Sequence, residues 1–215
     1  MLRNLPARLT LFMLLASLLI TGCQSEYLAT FDEIGRWSQD DRADVVGGVE
    51  NGQYVMNLLA GEQPRTYWAT AGESFADGMF EVDVTQIKGD ANAGFGLAFR
   101  VDEELGQFYL FEISADGYAW VGLCKNGCLG ETDQLSLLGS WWFPTSAIRQ
   151  GLNETNQLRV IADGPNMIFY VNGIEIGRIA DTGLSEGDIA LVAESLGEGD
   201  LSIAFDNVRV TPLEE

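Results

Sequence analysis

From residue 31 onward, short segments of alternating apolar and polar residues follow one another, separated by glycine and Asx turns. In MFEVDVTQI (79–87), for example, Phe80, Val82 and Val84 alternate with polar side chains. A period of two is typical of a strand with one buried face. Further segments of this kind are GFGLAFRV (94–101), QFYLFEI (107–113), YAWVGL (118–123), LRVIAD (158–163), MIFYVN (167–172), IEIGRIA (174–180), DIALVAE (188–194) and SIAFDNVRV (202–210). So many strands in one unbroken run predict an all-β fold, a two-sheet antiparallel sandwich or jelly roll.

The segment 1–22 predicts a cleaved lipoprotein signal peptide. Two arginines precede an apolar run from Leu9 to Ile20, which is shorter than the roughly 20 residues of a membrane-spanning helix. The run ends in ITGC (20–23), which resembles the bacterial lipobox. This resemblance implies cleavage before Cys23 and acyl chains on its thiol; two or more chains give a stable anchor. An ordinary signal peptide with an incidental cysteine is the alternative.

The predicted organisation is therefore a lipidated cysteine with a short tether (23–30), followed by one sandwich domain (31–215). We expect this domain to be exported and anchored to the bacterial envelope, facing outward. Outside the cytoplasm, the remaining cysteine pair, Cys124 and Cys128 in CKNGC, is expected to form a structural disulfide. Two free thiols or a redox pair are the alternatives, but C-x-x-x-C lacks the usual redox spacing.

Composition excludes several functions. The chain has 32 Asp and Glu against 12 Lys and Arg, a formal net charge of −20. Such a surface disfavours nucleic acid, whose phosphates need basic partners, and leaves the lipid anchor as the only expected membrane contact. The absence of histidine excludes Ser-His-Asp and Cys-His catalysis as usually built, and zinc sites that need imidazole. Carboxylate, lysine and tyrosine chemistry remain.

The C-terminal segment resembles a known fold. A VNG hairpin (171–173), a GDIAL strand opening (187–191) and the closing FDNVRV (205–210) are similar to concanavalin A-like (LamG-like) jelly rolls, near the domains grouped with the 3-keto-disaccharide hydrolases. The resemblance covers roughly residues 31–212 and implies a jelly roll. It does not imply one activity, because this fold hosts lectins, glucanases and adhesion modules.

A candidate carbohydrate site follows from strand register. Pairing 94–101 with 107–113 about Glu104 places Arg100 opposite Phe108, and Glu112 opposite Gly96. The resulting trough is expected to carry Arg100 and Glu112 as hydrogen-bonding groups. The other face, expected to form the inter-sheet core, carries Phe95, Leu97, Phe99, Tyr109, Phe111 and Ile113, with Trp120 placed opposite Phe111. Resemblance to the fold implies that glycans lie in the trough; a salt-bridged face without ligand is the alternative.

Three further residues are expected at this carbohydrate site. Glu81 and Asp83 point away from the core positions of their strand and would join the trough. In the cluster Trp141-Trp142-Phe143, Trp142 is expected to be the exposed member, since the flat face of an indole suits the apolar side of a pyranose. Burial of both tryptophans is the alternative.

Catalysis is not carried over from the resemblance. Glucanases of this fold carry E-x-D-x-(x)-E on one strand, whereas in FEVDVTQ (80–86) Thr85 and Gln86 stand where the closing acid would be. We therefore predict a domain that binds carbohydrate or another envelope polymer without catalysis. The alternatives are a glycan-active hydrolase that uses Glu112 or the Glu81/Asp83 pair, and a structural or protein-interaction module.

One structural calcium ion is a separate prediction. In glucanases of this fold, an aspartate just before an aromatic-V-R-V ending ligates calcium, and Asp206 of FDNVRV resembles it. Calcium takes carboxylate and carbonyl oxygens, so Asp32 and the carbonyls of Gly47 and Gly48 are the expected partners. A hydrogen bond from a neighbouring loop to Asp206 is the alternative.

Overall fold

The computed structural model describes residues 26–61, 63–128, 130–197 and 199–213. The predicted signal peptide and Cys23, the predicted lipid-attachment site, lie outside these residues. In the part of the chain that is described, no helix is long and apolar enough to cross a membrane.

The described residues form a sandwich of two antiparallel sheets. The strands, in chain order, are β1 (Tyr27–Ala29), β2 (Asp40–Asp41), β3 (Val45–Glu50), β4 (Gln53–Leu58), β5 (Arg65–Phe75), β6 (Gly78–Lys88), β7 (Phe95–Asp102), β8 (Gln107–Ile113), β9 (Tyr118–Cys124), β10 (Gln134–Ser136), β11 (Phe143–Pro144), β12 (Thr155–Asp163), β13 (Asn166–Val171), β14 (Ile174–Ala180), β15 (Gly187–Ser195) and β16 (Leu201–Thr211). Two short 3₁₀ turns, Asn126–Cys128 and Glu131–Asp133, lie between β9 and β10. The all-β sandwich predicted from the alternating segments is confirmed.

One sheet has the order β14-β13-β12-β6-β16-β4-β3-β2, with β1 paired to β16. The other has the order β10-β9-β8-β7-β15-β5, with β11 paired to β9. We call them the nine-stranded and the seven-stranded sheet. Consecutive strands β6 and β7 lie in different sheets, and β15 and β16 do as well, so the chain passes repeatedly between the two layers.

The core lies between the two sheets, because one face of nearly every long strand is apolar. Phe80, Val82 and Val84 of β6 are fully buried there. From β7 and β8 come the six aromatic and aliphatic side chains expected from the sequence: Phe95, Leu97, Phe99, Tyr109, Phe111 and Ile113. Aromatic rings from the two sheets meet in this layer, with Phe80 and Phe99 at 5.5 Å between ring centroids.

Two local features bear on the predicted domain limits and cysteine chemistry. Residues 27–29 pair with β16, and Tyr27 lies opposite Val210. The sandwich therefore begins before residue 31, and the predicted tether (23–30) is too long.

Cys124 and Cys128 form the predicted disulfide, with Cα atoms 5.0 Å apart.

Candidate functional site

The register of β7 and β8 agrees with the sequence in its central part. Gly96 lies opposite Glu112, as expected, and Ala98 lies opposite Leu110. The ladder then shifts between Phe99 and Asp102. This bulge changes where the next side chain points, because the period of two is interrupted.

Arg100 lies at the bulge and not in the trough, which corrects the expectation that it faces Phe108. Its backbone has a positive φ of 52°, and its side chain is fully buried. The guanidinium donates to the carbonyls of Ala76 (3.2 Å), Leu184 (3.0 Å) and Gly164 (2.9 Å), and Nη2 pairs with Asp77 at 2.8 Å. Arg100 therefore fastens three chain segments together, which is a structural role.

Glu81 and Asp83 lie on β6 of the nine-stranded sheet, and so they do not join Glu112. Glu81 accepts a hydrogen bond at 2.7 Å from Arg159 Nε on the neighbouring strand. Asp83 accepts a bond at 3.0 Å from Asn207 Nδ2. The four charged residues expected in one trough are therefore separated: Glu112 lies in the seven-stranded sheet, Glu81 and Asp83 lie in the nine-stranded sheet, and Arg100 is buried at the bulge.

Trp120 lies opposite Glu112, not opposite Phe111 as expected. The difference of one residue between β8 and β9 exchanges the two faces. Trp120 thus belongs to the outer face of the seven-stranded sheet, together with Glu112, and Ala119 belongs to the core.

The outer face of the seven-stranded sheet has an apolar cluster of its own. Its buried members are Ala98, Val101, Phe108, Leu110, Trp120, Cys124, Cys128, Ala190 and Val192. Trp68 and Trp142 pack against this cluster and are partly exposed. The six-membered ring of Trp120 packs against Gly122. A Cβ at position 122 would lie 2.3 Å from that ring, so a larger residue would displace it. The trough is consequently filled by aromatic side chains over small residues.

Two glutamates share this outer face. Gly96 of β7 lies between Glu112 of β8 and Val192 of β15. Glu194 follows Val192 by two residues, so its side chain is on the same face as Glu112. Glu112 is 1% exposed and its Oε1 has no hydrogen-bond partner. Burial, and secondly the negative charge of Glu194, raise the pKa of Glu112 well above its usual value.

Glu194 is reached from solvent and was not predicted as a site residue. Its Oε1 accepts a bond from the Thr66 hydroxyl at 3.1 Å, and burial raises its pKa. A cavity of about 330 Å³ opens onto it, lined also by Arg65, Thr66, Cys128, Gln134 and Ser195. We call this cavity the Glu194 cleft. Its hydroxyl, amide and carboxylate groups can exchange hydrogen bonds with a polar ligand.

The two adjacent tryptophans differ from the expectation. Trp141 is the more exposed, at 47%, and its ring meets Trp120 edge-on with centroids 5.9 Å apart. Trp142 is partly buried over Gly94: a Cβ at Gly94 would lie 3.1 Å from the Trp142 ring and 3.2 Å from Glu194 Oε2. Trp142 also lines a hollow of about 240 Å³ with Tyr118. It does not belong to the lining of the Glu194 cleft.

The predicted calcium ligands do not come together as a set. Burial raises the pKa of Asp206, and the negative charges of the nearby Asp83 and Asp32 raise it further. Gly47 and Gly48 lie in β3, separated from β16 by β4, so about 10 Å of sheet intervenes. In the part of the chain that the structure describes, no three His, Cys, Asp or Glu side chains form a metal-binding group. Gly47 and Gly48 are therefore too far from Asp206 to share an ion with it, and a calcium ion at Asp206 and Asp32 stays a prediction.

Comparison with known proteins finds no matching family model and no similar curated sequence. Solved structures are similar. The carbohydrate-binding module CBM66 from Bacillus subtilis matches with a TM-score of 0.53 at 18% identity, over 83% of this chain and 97% of that one. The Bacillus licheniformis beta-glucanase matches with a TM-score of 0.62 at 12% identity, over 89% of this chain and 100% of that one.

The catalytic domain of an endo-1,3-beta-glucanase (laminarinase) from Thermotoga petrophila RKU-1 matches with a TM-score of 0.61 at 12% identity, over 88% of this chain and 97% of that one. The fold is therefore a concanavalin A-like jelly roll, as the sequence resemblance implied. At these identities the likeness establishes the fold and not the activity.

Proposed function

We propose that this chain binds carbohydrate, or another envelope polymer, at the Glu194 cleft without catalysis. One observation carries the proposal: the cleft is lined by hydrogen-bonding side chains and by Cys128, a member of the outer-face cluster against which Trp68 and Trp142 pack. Glu194, Thr66 and Gln134 supply a carboxylate, a hydroxyl and an amide. The Trp142 ring and Glu194 Oε2 both approach Gly94, at 3.1 and 3.2 Å from the position of a Cβ there. Flat aromatic surface beside a few convergent polar groups is the usual composition of a saccharide site.

The similarity to CBM66 and to two glucanases supports a carbohydrate ligand. Binding is favoured over catalysis because Glu112, the second carboxylate of this face, is 1% exposed. A buried carboxyl cannot reach a glycosidic bond in the cleft. The Arg100 position lies at the bulge, so we assign the polar contacts to Glu194 and its neighbours.

We also propose that acyl chains on Cys23 hold the protein at the envelope, facing outward, as the lipobox resemblance implies. The distance from Cys23 to β1, which begins at Tyr27, leaves only a short tether. Replacement Cys23→Ser is expected to move the protein from the membrane fraction to the soluble fraction. Retention of this variant in the membrane fraction would contradict lipid anchoring.

A glycan array tests the proposed binding, with the chain from Gln24 to Glu215, which contains every described strand, probed in calcium and again in chelator. We expect selective binding that is lost in Trp142→Ala. The matched control is Tyr170→Ala, a partly exposed aromatic residue on the other sheet, which should bind like the wild type. A blank array from folded protein would contradict the proposal and favour a protein-interaction module.

A glycan-active hydrolase is the second candidate, because Glu194 lines the cleft and burial raises its pKa, as the general acid of glycoside hydrolysis requires. The assay is release of reducing ends from each glycan that binds on the array. Release that is abolished in Glu194→Gln would establish this second candidate and overturn non-catalytic binding.

A further inference from the structure

The first strand fixes where the proposed lipid anchor joins the sandwich. Cys23 and Tyr27, the first residue of β1, are four positions apart in the sequence. Even a fully extended chain spans only about 14 Å over four residues. β1 is held in the nine-stranded sheet by its pairing with β16. Acyl chains on Cys23 would therefore keep the β1 end of the sandwich close to the surface of the bilayer.

The Glu194 cleft lies at the opposite end of the sandwich. The ring of Tyr27 packs on Phe75, the last residue of β5, with centroids 5.6 Å apart. Thr66 of the cleft is the second residue of the same strand and lies opposite Glu194. Nine residues of strand, shortened somewhat by the bulge in β5, place roughly 25–30 Å between these two positions. β5 therefore connects the cleft with the anchor end.

The nine-stranded sheet has the same polarity. Val210, the second-last residue of β16, lies opposite Tyr27. β16 begins at Leu201, six residues after Ser195 of the cleft. One strand in each sheet thus runs between the anchor end and the cleft end, so the two ends are separated by the length of the sandwich.

The surface beside β1 is suited to a layer of lipid headgroups. Leu28 and Ile34 are aliphatic side chains that are 50% and 53% exposed. The residues on either side of Ile34 line one groove with Leu28. Arg209 lies directly opposite Leu28, and Arg36 follows Ile34 by two residues. Apolar side chains with arginines beside them are typical of a surface that lies at a membrane interface.

The two arginines can exchange their present partners for lipid phosphates. Arg36 pairs with Glu73 and Arg209 pairs with Glu26, and all four side chains are at least partly exposed. Exposed ion pairs contribute little to stability, and arginine donates to phosphate as it does to carboxylate. The net charge of −20 disfavours an anionic membrane. The fitting partner is therefore a zwitterionic phospholipid, which offers phosphate without net charge.

We propose that the β1 end of the sandwich, with Leu28 and Ile34, contacts phospholipid headgroups, and that the Glu194 cleft lies at the end remote from the bilayer. This inference rests on the proposed anchor at Cys23 and adds a lipid contact of the domain itself, which the acidic composition did not predict. It also restricts the saccharide. The cleft would take a polymer that lies roughly 25–30 Å beyond the anchor end, rather than the headgroup of a glycolipid in the same bilayer.

Fluorescence quenching in vesicles tests the orientation. The acylated full chain is reconstituted in phosphatidylcholine vesicles that contain a lipid with a spin-labelled headgroup. A fluorophore is attached at Ile34→Cys or at Leu196→Cys, an exposed side chain of the cleft. The new thiol is the reactive one, because Cys124 and Cys128 form the disulfide and Cys23 is the anchor. We expect a large loss of emission at position 34 and little loss at position 196.

A second substitution tests the lipid contact itself. Leu28→Ser, made in the protein labelled at position 34, should reduce the quenching, because it removes an apolar group from the interface. The matched control is Leu59→Ser. Leu59 is 41% exposed and follows Leu58, which pairs with Leu201 at the cleft end, so quenching should stay unchanged. Both leucines are exposed, and both variants are expected to melt like the wild type.

Four outcomes would contradict the inference. Equal quenching at positions 34 and 196 would show that the anchored domain has no fixed orientation, and stronger quenching at position 196 would place the cleft at the lipid. Unchanged quenching in Leu28→Ser would refute the lipid contact. In these three cases the proposed anchor stands. Failure of the full chain to remain with the vesicles would instead refute the anchor, and the orientation with it.

Discussion

Replacing Glu112 by glutamine is expected to stabilise the protein at neutral pH. The carboxyl is 1% exposed, its Oε1 is unpartnered, and its only charged neighbour of consequence is Glu194. A buried, unpartnered polar group costs about 1–3 kcal/mol, and more when it is charged. The amide of Glu112→Gln keeps the volume and carries no charge beside Glu194. We therefore expect the free energy of unfolding at pH 7 to rise by about 1–3 kcal/mol.

The gain should depend on pH with a definite sign. The pKa of Glu112 in the folded protein lies above its usual value of 4.5, so the folded state holds a proton that the unfolded state has released. Stability therefore falls as pH rises from about 4.5 through the folded pKa, by about 1.4 kcal/mol for each unit of the shift. Below that window both states are protonated, and the advantage of Glu112→Gln should nearly vanish.

Urea unfolding of the wild type and Glu112→Gln at pH 7 and at about pH 4 measures both effects. Glu154→Gln is the control, because that side chain is exposed, and surface substitutions change stability by only about ±0.5 kcal/mol. A loss of stability in Glu112→Gln at pH 7 would refute the reasoning, since it would mean that the ionised carboxylate has a stabilising partner.

Three other predictions concern the framework around the site. Arg100→Met should lower the free energy of unfolding, measured by urea denaturation, by about 2–4 kcal/mol, because the guanidinium makes four hydrogen bonds at roughly 1 kcal/mol net each. An unchanged urea midpoint would contradict its structural role. Reduction of the Cys124–Cys128 disulfide should cost about 2 kcal/mol, the loop-closure value for so short a loop, and an unchanged melting temperature in reductant would contradict this. If calcium binds at Asp206, Asp206→Ala should lower the melting temperature in calcium but not in chelator, whereas equal losses in both would exclude the metal.

The strand pattern was predictable wherever a strand has one buried face. Residues 79–87 alternate cleanly, and the structure has a strand there. The segment RTYWATAGESF (65–75) escaped prediction, because its side chains are mostly small or polar and Gly72 interrupts it with a positive φ. As a result Trp68, which packs on the candidate face, was missed.

The site was harder to predict because it depends on register. A bulge after Phe99 removes Arg100 from the trough. The residue types in this segment do not predict a bulge. A shift of one residue in the β8–β9 turn moves Trp120 to the outer face. Glu194 could have been found, since it continues the outward-facing positions of the predicted strand 188–194, but its neighbour across the sheet, Gly94, gave no signal of a ligand.

A tryptophan-fluorescence titration tests the central claim most directly, because Trp68, Trp120 and Trp142 all lie on the outer face of the seven-stranded sheet. The chain is titrated with the saccharide that binds best on the array. Binding in the Glu194 cleft predicts a saturable change in emission for the wild type and for Glu154→Gln, and a strongly weakened one for Glu194→Gln. A saturable change of equal affinity in all three proteins would place the saccharide elsewhere and contradict the account.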